Sequence, residues 1–430
     1  MRRFLLPWLC ALLVSMPVAQ AQDSWDDRTA AAGIGGILNG VAFGNGRFVA
    51  VGTNSVFGLI YSSPDGEAWS DHTQTANIGG ILNGVAFGDG RFVAVGTNTA
   101  FGLIASSTNG MAWTDHTSAA NVGGILRDVA FGNGVWVAVG DIGGVGVIAT
   151  STNGVTWTNR TSTANVAGIL HGVAFADGQF VVTGTNGALV VFAVSTNGRD
   201  WNVHTTTNAI GGVAYDVAHD GTQFIATGDG TPSGGSTTAH VLTSANGVSW
   251  MSRTIAVGLG GIGFGLGSGG GTTVMVGRTG APGLIATSEN GVDWSNLTVA
   301  SQAPGDLHGV ARGTGRWVAV GTNQVNGVVM TSDTESSGGD APMFFDDVIE
   351  IGSNGGNVSA LVLAGAGVQW TVTKEVDWVF LSGASGTGNG QATVSVQFNT
   401  SAQARSATLM VGGDVLIVNQ AGAPLNAPVL

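Results

Sequence analysis

The sequence is short of the residues that mark several large classes of protein. It has one lysine, Lys374, and its 27 acidic residues outnumber 14 basic ones, for a net charge of −13 over 430 residues. So acidic a chain repels polyphosphate, which sets DNA and RNA aside as partners. One cysteine, Cys10, permits no internal disulfide. Nine prolines and no Gly-X-Y period exclude collagen despite 73 glycines, and 43% hydrophobic residues exclude a disordered chain. After residue 14 no apolar run nears the roughly 20 residues of a membrane span, so no insertion is expected.

What is present begins with an address. Arg2 and Arg3 precede the apolar run Phe4 to Val14, and Ala19-Gln20-Ala21 follows, the three parts of a secretory signal peptide over residues 1–21, cleaved after Ala21. The expected product is secreted, periplasmic or extracellular. Losing Arg2 and Arg3 takes the charge from −13 to −15, and losing Cys10 leaves packing alone to hold the fold.

A repeat dominates the rest. Trp25, Trp69, Trp113, Trp157, Trp201, Trp250 and Trp294 are spaced by 44, 44, 44, 44, 49 and 44 residues, and Leu38 to Gly52 returns as Leu82 to Gly96 with one change, Asn45 to Asp89. Units of this length, read by turn signals, hold four strands: Gly40 to Phe43, Phe48 to Val51, Leu59 to Ser62 and Trp69 to Thr73. They predict an all-β fold, a seven-bladed β-propeller over residues 22–335. The seventh unit stops after Asp333 without its Gly and Trp, whereas Trp25 to Thr29 has no strands before it. The N-terminal segment is therefore expected to supply the outer strand of the last blade and hide two free edges.

The turns before the tryptophans, Ser63-Pro64-Asp65-Gly66-Glu67-Ala68-Trp69 and its copies ending at Trp113, Trp157, Trp201, Trp250 and Trp294, resemble the Asp-box, or bacterial neuraminidase repeat, of sialidase-like propellers. One residue is missing between acid and glycine, and Asn replaces Asp in five of six copies. The resemblance implies a propeller whose Ser and Asp bond the turn, on the face opposite an active site. Sialidase chemistry is not carried over. It needs three arginines, a Tyr/Glu pair and an Asp, and the propeller offers only Tyr61, Tyr215 and box-associated Glu67, Glu289 and Glu335.

A Ser/Gly linker, residues 336–342, leads to a second domain over 343–423 and a tail over 424–430. Period-two runs such as Ala392 to Phe398 predict a small antiparallel sandwich. Its landmarks Trp370, Trp378, Gly386-Thr387-Gly388, Asn399, Arg405 and Val418-Asn419-Gln420-Ala421-Gly422 look like those of a BACON domain. That resemblance implies an immunoglobulin-like sandwich in a secreted bacterial protein that binds glycan or mucin. Trp370 and Trp378 are then either core residues or sugar-stacking platforms.

Two sets of positions vary in chemistry while the frame repeats. Three residues after each tryptophan stand Arg28, His72, His116, Arg160, His204, Arg253 and Leu297, either a ring for an anion or charges that protect exposed outer edges. At the head of the innermost strands stand Asn39, Asn83, Arg127, His171, Tyr215, Ile262 and His308, which would gather at the mouth of a central channel. Arg127, His171 and His308 are expected to line the functional face, and solvated channel ends are the bland alternative. No catalytic, metal or cofactor motif appears, so none is assigned.

The expected function is a monomeric, non-catalytic binding protein for glycan or another extracellular polymer. The alternatives are a polysaccharide-active hydrolase or lyase at the channel mouth, with His171 or His308 as base, and a structural or adhesion module.

Overall fold

The computed structural model describes residues 25–99, 101–205, 211–230, 238–253, 259–280, 282–298, 303–313, 315–332, 342–344, 348–364, 369–387, 390–412 and 414–423. The segment 1–21, the linker up to residue 341 and the tail lie outside them.

Seven four-stranded antiparallel sheets stand in a propeller-like ring among the described residues. Sheet 1 runs Ile37–Gly44, Arg47–Thr53, Gly58–Ser63 and Ser70–Asp71 from the centre outward, and sheets 2 to 6 repeat that order. Sheet 7 has Asp306–Gly313, Arg316–Thr322 and Gly327–Ser332, with Trp25–Asp27 as its outer strand, Trp25 facing Ser332 and Asp27 facing Met330. The innermost strands pack side by side, and that of sheet 7 meets that of sheet 1.

The ring holds because each sheet is apolar on both faces. Seven core clusters form, each from two neighbouring sheets, and one joins Val318, Val320 and Val329 of sheet 7 to Leu38, Phe48 and Ala50 of sheet 1. Each fully buried Val or Phe contributes roughly 1.5–3 kcal/mol. The repeated tryptophans pack against the cluster between their own sheet and the one before, as Trp69 does beside Phe48 and Trp25 does beside Trp317.

Turn chemistry sets the rims. Ser63 Oγ accepts the Gly66 N–H at 2.8 Å, and Asp65 Oδ1 accepts the N–H groups of Glu67 and Ala68. Asn109, Asn153, Asn197, Asn246 and Asn290 accept the same pair of amides in their turns. Only one side-chain oxygen is used, so an amide serves as well as a carboxylate.

The inner strand starts earlier than its apolar core suggests, at Ile37 rather than Gly40, and the outer strand is two residues long in sheets 1, 2, 3, 5 and 6, followed in sheet 1 by a helical turn, Thr73–Ala76. Every inner strand also carries a bulge. Pairing shifts between Leu38 and Gly40, and at the equivalent place in all seven sheets, leaving one residue out of the ladder each time. The bulge presses a carbonyl onto the second strand, where a Cβ would come within 1.8 to 2.1 Å of it. Only glycine fits, and Gly52, Gly96, Gly140, Gly184, Gly228, Gly277 and Gly321 stand there.

The C-terminal segment forms two four-stranded sheets around one core. Met343–Phe344, Gly356–Leu363, Gly390–Val396 and Val379–Ser382 make one; Val348–Ile351, Asp414–Gln420, Arg405–Val411 and Thr373–Lys374 make the other, Val348–Ile351 running parallel to Asp414–Gln420. Asn399 donates to the Gln403 and Ala421 carbonyls, and Arg405 Nε donates to Gln420 Oε1 at 2.7 Å, so these polar landmarks tie down the chain end. This unit faces the hairpin turns of sheets 3 to 7 across a cavity of about 850 Å³, with Asp177, His219 and Arg312 on one side and Glu350 and Arg405 on the other.

Candidate functional site

The bulges build the site. The residue each one expels from the ladder turns into the central channel, at the end away from the hairpin turns. Asn39, Asn83, Arg127, His171, Tyr215 and His308 meet there around a cavity of about 450 Å³, each half-buried. In sheet 6 the position belongs to Phe264, not Ile262, which is buried two residues earlier. The frame is unbroken, for Phe264 follows Trp250 by 14 residues as Asn39 follows Trp25, and Ile262 is the counterpart of Ile37; what differs is that the usual Leu or Ala is replaced by Gly263. A Cβ on it would lie 2.0 Å from Thr227 Oγ1, so the Thr227 side chain occupies the space.

The lining has two halves. His171, Tyr215, Phe264 and His308 form an edge-to-face aromatic arc, with centroid separations of 5.1, 5.5 and 5.8 Å. Facing it, Asn39 Nδ2 donates to the Leu82 carbonyl at 2.8 Å and Asn83 Nδ2 to the Leu126 carbonyl at 2.7 Å; at the end of the arc His308 Nδ1 contacts the Leu38 carbonyl at 2.9 Å. Each of these bonds crosses to the next sheet and fixes its side chain. Arg127 is clamped by Asp141 at 2.8 and 3.1 Å, and Arg278 lies over the Phe264 ring at 5.4 Å, near Asp306. Exposed Ile37 and Ile81, with Val56, Phe101 and Val325 and the strand end Ile142, add an apolar collar on the same face.

Below the expelled residues lie two carboxylates that the sequence analysis missed, Asp128 and Asp216. Five sheets carry glycine at that position, and the signal was this break in the frame. Asp128 accepts the N–H groups of Val129 and of Val173 in the next sheet, both at 2.8 Å. Asp216 accepts those of Val217 and Leu266 at 2.7 and 2.8 Å. They lie deep among protein atoms yet are reached along the channel. Burial pushes Asp128 up to about 6, and burial with the Asp128 charge holds Asp216 well above the carboxylate range. Burial, with Arg127, pushes His171 down to about 4; burial also lowers His308, and burial with the Asp229 charge raises Tyr215. At neutral pH both histidines are uncharged.

The other varying set does not gather. His72 and His116 contact Ser62 and Ser106 at 2.9 Å, Arg28, Arg160 and Arg253 donate to Thr331, Thr150 and Thr243, and Leu297 is buried. These contacts lie within single sheets, and Arg28 also reaches Glu67 of sheet 1 at 3.3 Å. Trp370 is 5% exposed in the sandwich core, wedged where Gly386 and Gly390 have no Cβ, so it offers no stacking face. Trp378 is half-buried, with the Arg405 guanidinium 4.2 Å above its ring. Among the described residues no cluster of His, Cys, Asp and Glu could hold a metal, and no helix is long and apolar enough to cross a membrane.

Solved structures carry the same architecture. YCF48 bound to D1 peptide aligns at TM-score 0.54 and 15% identity, covering 74% of this chain and 97% of that one. A catalytically inactive virginiamycin B lyase from Staphylococcus aureus with quinupristin aligns at 0.55 and 12%, covering 72% and 98%. At such identities the likeness concerns fold alone, and the chain is an all-β, propeller-like protein. No protein-family model and no curated protein matches the sequence.

Proposed function

We propose that the chain is an exported, monomeric binding protein, a seven-bladed propeller of the box-bearing, sialidase-like kind followed by an immunoglobulin-like, BACON-type domain, which recognises a glycan or another extracellular polymer without turnover. One observation carries this reading. The bulge delivers the residue at one repeated position to a single cavity from every sheet, and there the sheets differ most in chemistry. An aromatic arc facing fixed amides suits a sugar, whose C–H face stacks while its hydroxyls bond.

A polysaccharide panel tests it. The protein should be retained on an insoluble glycan with no reducing sugar or unsaturated product released, and the triple variant Arg127→Ala, His171→Ala, His308→Ala should lose at least about tenfold in affinity. Unchanged retention of that variant sinks the assignment. A second reading, a hydrolase or lyase, draws support from Asp128 and Asp216, carboxyls that burial raises above their ordinary range in the sheets on either side of His171. Product released by the wild type favours it.

A further inference from the structure

We infer that the arc of the channel formed by sheets 7, 1 and 2 binds the carboxylate of a uronic-acid residue in the ligand, a deepening that rests on the glycan-binding reading. The backbone carries the inference. In sheet 1 the two-residue turn Asn45-Gly46 makes Gly44 and Arg47 a hydrogen-bonded pair, and strict alternation back along the ladder leaves Val41, opposite Ala50, in a non-bonded pair. Its N–H therefore points away from the second strand and into the channel. The same register holds for Val85 and Val310.

Asp128 and Asp216 display what such donors take. Each carboxylate spans a sheet boundary and accepts two of them, so the N–H groups of Val129, Val173, Val217 and Leu266 are matched with protein oxygen. In the remaining three sheets, which are consecutive around the ring, the aspartate position holds Gly309, Gly40 and Gly84, and the donors open on the cavity. The glycines stand where a carboxylate would be anchored: a Cβ on Gly309 would lie 3.3 Å from Val41 N, and one on Gly40 3.5 Å from Val85 N. A row of backbone N–H groups on a sheet edge is an anion-binding surface. Asp128 and Asp216 show that a carboxyl group has the size and reach to take a pair of such donors.

The rest of the cavity selects its source. Tyr215 and Phe264 face this arc and give a sugar ring a stacking surface, and Asn39, Asn83 and His308 stand directly above the donors. The chain's net charge of −13 opposes a polyanion at long range, so the acidic residue is expected to be an isolated one in an otherwise neutral glycan.

The test compares probes that differ only at the carboxyl. By ligand-observed NMR titration, D-glucuronate should bind the full chain at least about tenfold more tightly than its methyl ester, as charge-assisted hydrogen bonds to backbone donors require. Gly40→Asp supplies a protein carboxylate to Val85 N and should bring glucuronate down to the level of the ester. Gly309→Asp, aimed at Val41 N, is the second variant should the first misfold, and the ester comparison needs no variant. Equal binding of acid and ester by a protein that is retained on panel glycans overturns this inference and leaves the glycan reading intact. No binding of either sugar, with no retention on any glycan, overturns both. Binding of acetyl-alanyl-alanine as tight as that of glucuronate overturns the assignment to sugar.

Discussion

Asp128 sits where most sheets have glycine, and its ionisation is opposed by the fold. Its carboxyl is raised to about 6 in the folded chain from an ordinary value of 3.8. Below the unfolded value both states are protonated and nothing is lost; as pH rises from about 4 through 6 the unfolded chain ionises first, and the folded state loses relative stability. Asp128→Asn should remove that component, so that the denaturation midpoint of the variant gains steadily on that of the wild type between about pH 4 and 6 and the difference is flat above pH 7. A pH-independent difference would contradict the raised value. The seven channel positions show what a single chain discloses at this scale. Asn39, Asn83, Arg127, His171, Tyr215 and His308 were legible because Leu-x-Gly-Val or a close variant brackets them. Phe264 was not read from that bracket, because Gly263 and Leu266 stand in place of its Leu and Val, although its distance of 14 residues from Trp250, the same as from Trp25 to Asn39, marks it.

The bulge is the element on which the site depends, and it needs glycine on the strand opposite. Gly96→Ala would bring a Cβ to 1.8 Å from the Ile81 carbonyl. It should cost at least about 2 kcal/mol in chemical denaturation, the scale of overpacking, and should also weaken ligand binding as Asn83 leaves the channel. Loss of stability with full binding would mean that the bulge does not position Asn83. The outer strand Trp25–Asp27 matters in another way. Trp25 is 6% exposed in the cluster between sheets 6 and 7, so Trp25→Ala should destabilise by about 3–5 kcal/mol, read from the unfolding midpoint. The repeat period disclosed these elements, since tryptophan spacing and turn signals survive in sequence. The bulge was hidden, because one extra residue in a strand flips the alternation on which strand limits are judged, and the inner strand was therefore begun at Gly40 instead of Ile37.

At the scale of the molecule, the ring and the sandwich answer to acid in the same direction through different groups. Burial raises Glu350 to about 7, where its carboxyl accepts Asn419 Nδ2 at 2.9 Å on the cavity between the two units. Ionisation above pH 7 is opposed by the fold, so the stability Glu350 contributes is present at pH 4 and is lost as pH rises through 7. Glu350→Gln should lessen the fall in thermal midpoint between pH 5 and 8, and an identical fall in both proteins would refute it. That cavity could not be foreseen from sequence. Hairpin turns of five sheets and one face of the sandwich meet there, and no local pattern records which surfaces two units turn toward each other.

The strand Trp25–Asp27 also imposes an order on events in time. It is the first part of the ring to be synthesised, yet its partner Gly327–Ser332 is the last, some 300 residues later, as the contact of Arg28 with Thr331 attests. Until then the growing chain carries a dangling segment and, at the end, a bare acceptor edge, and closure between such distant points is slow. Two unfinished chains that meet can exchange these segments, each completing the other. Refolding at high concentration should accordingly yield a fraction of interlocked dimer on size-exclusion chromatography that vanishes on refolding from dilute solution, while a chain lacking residues 25–27 should form none.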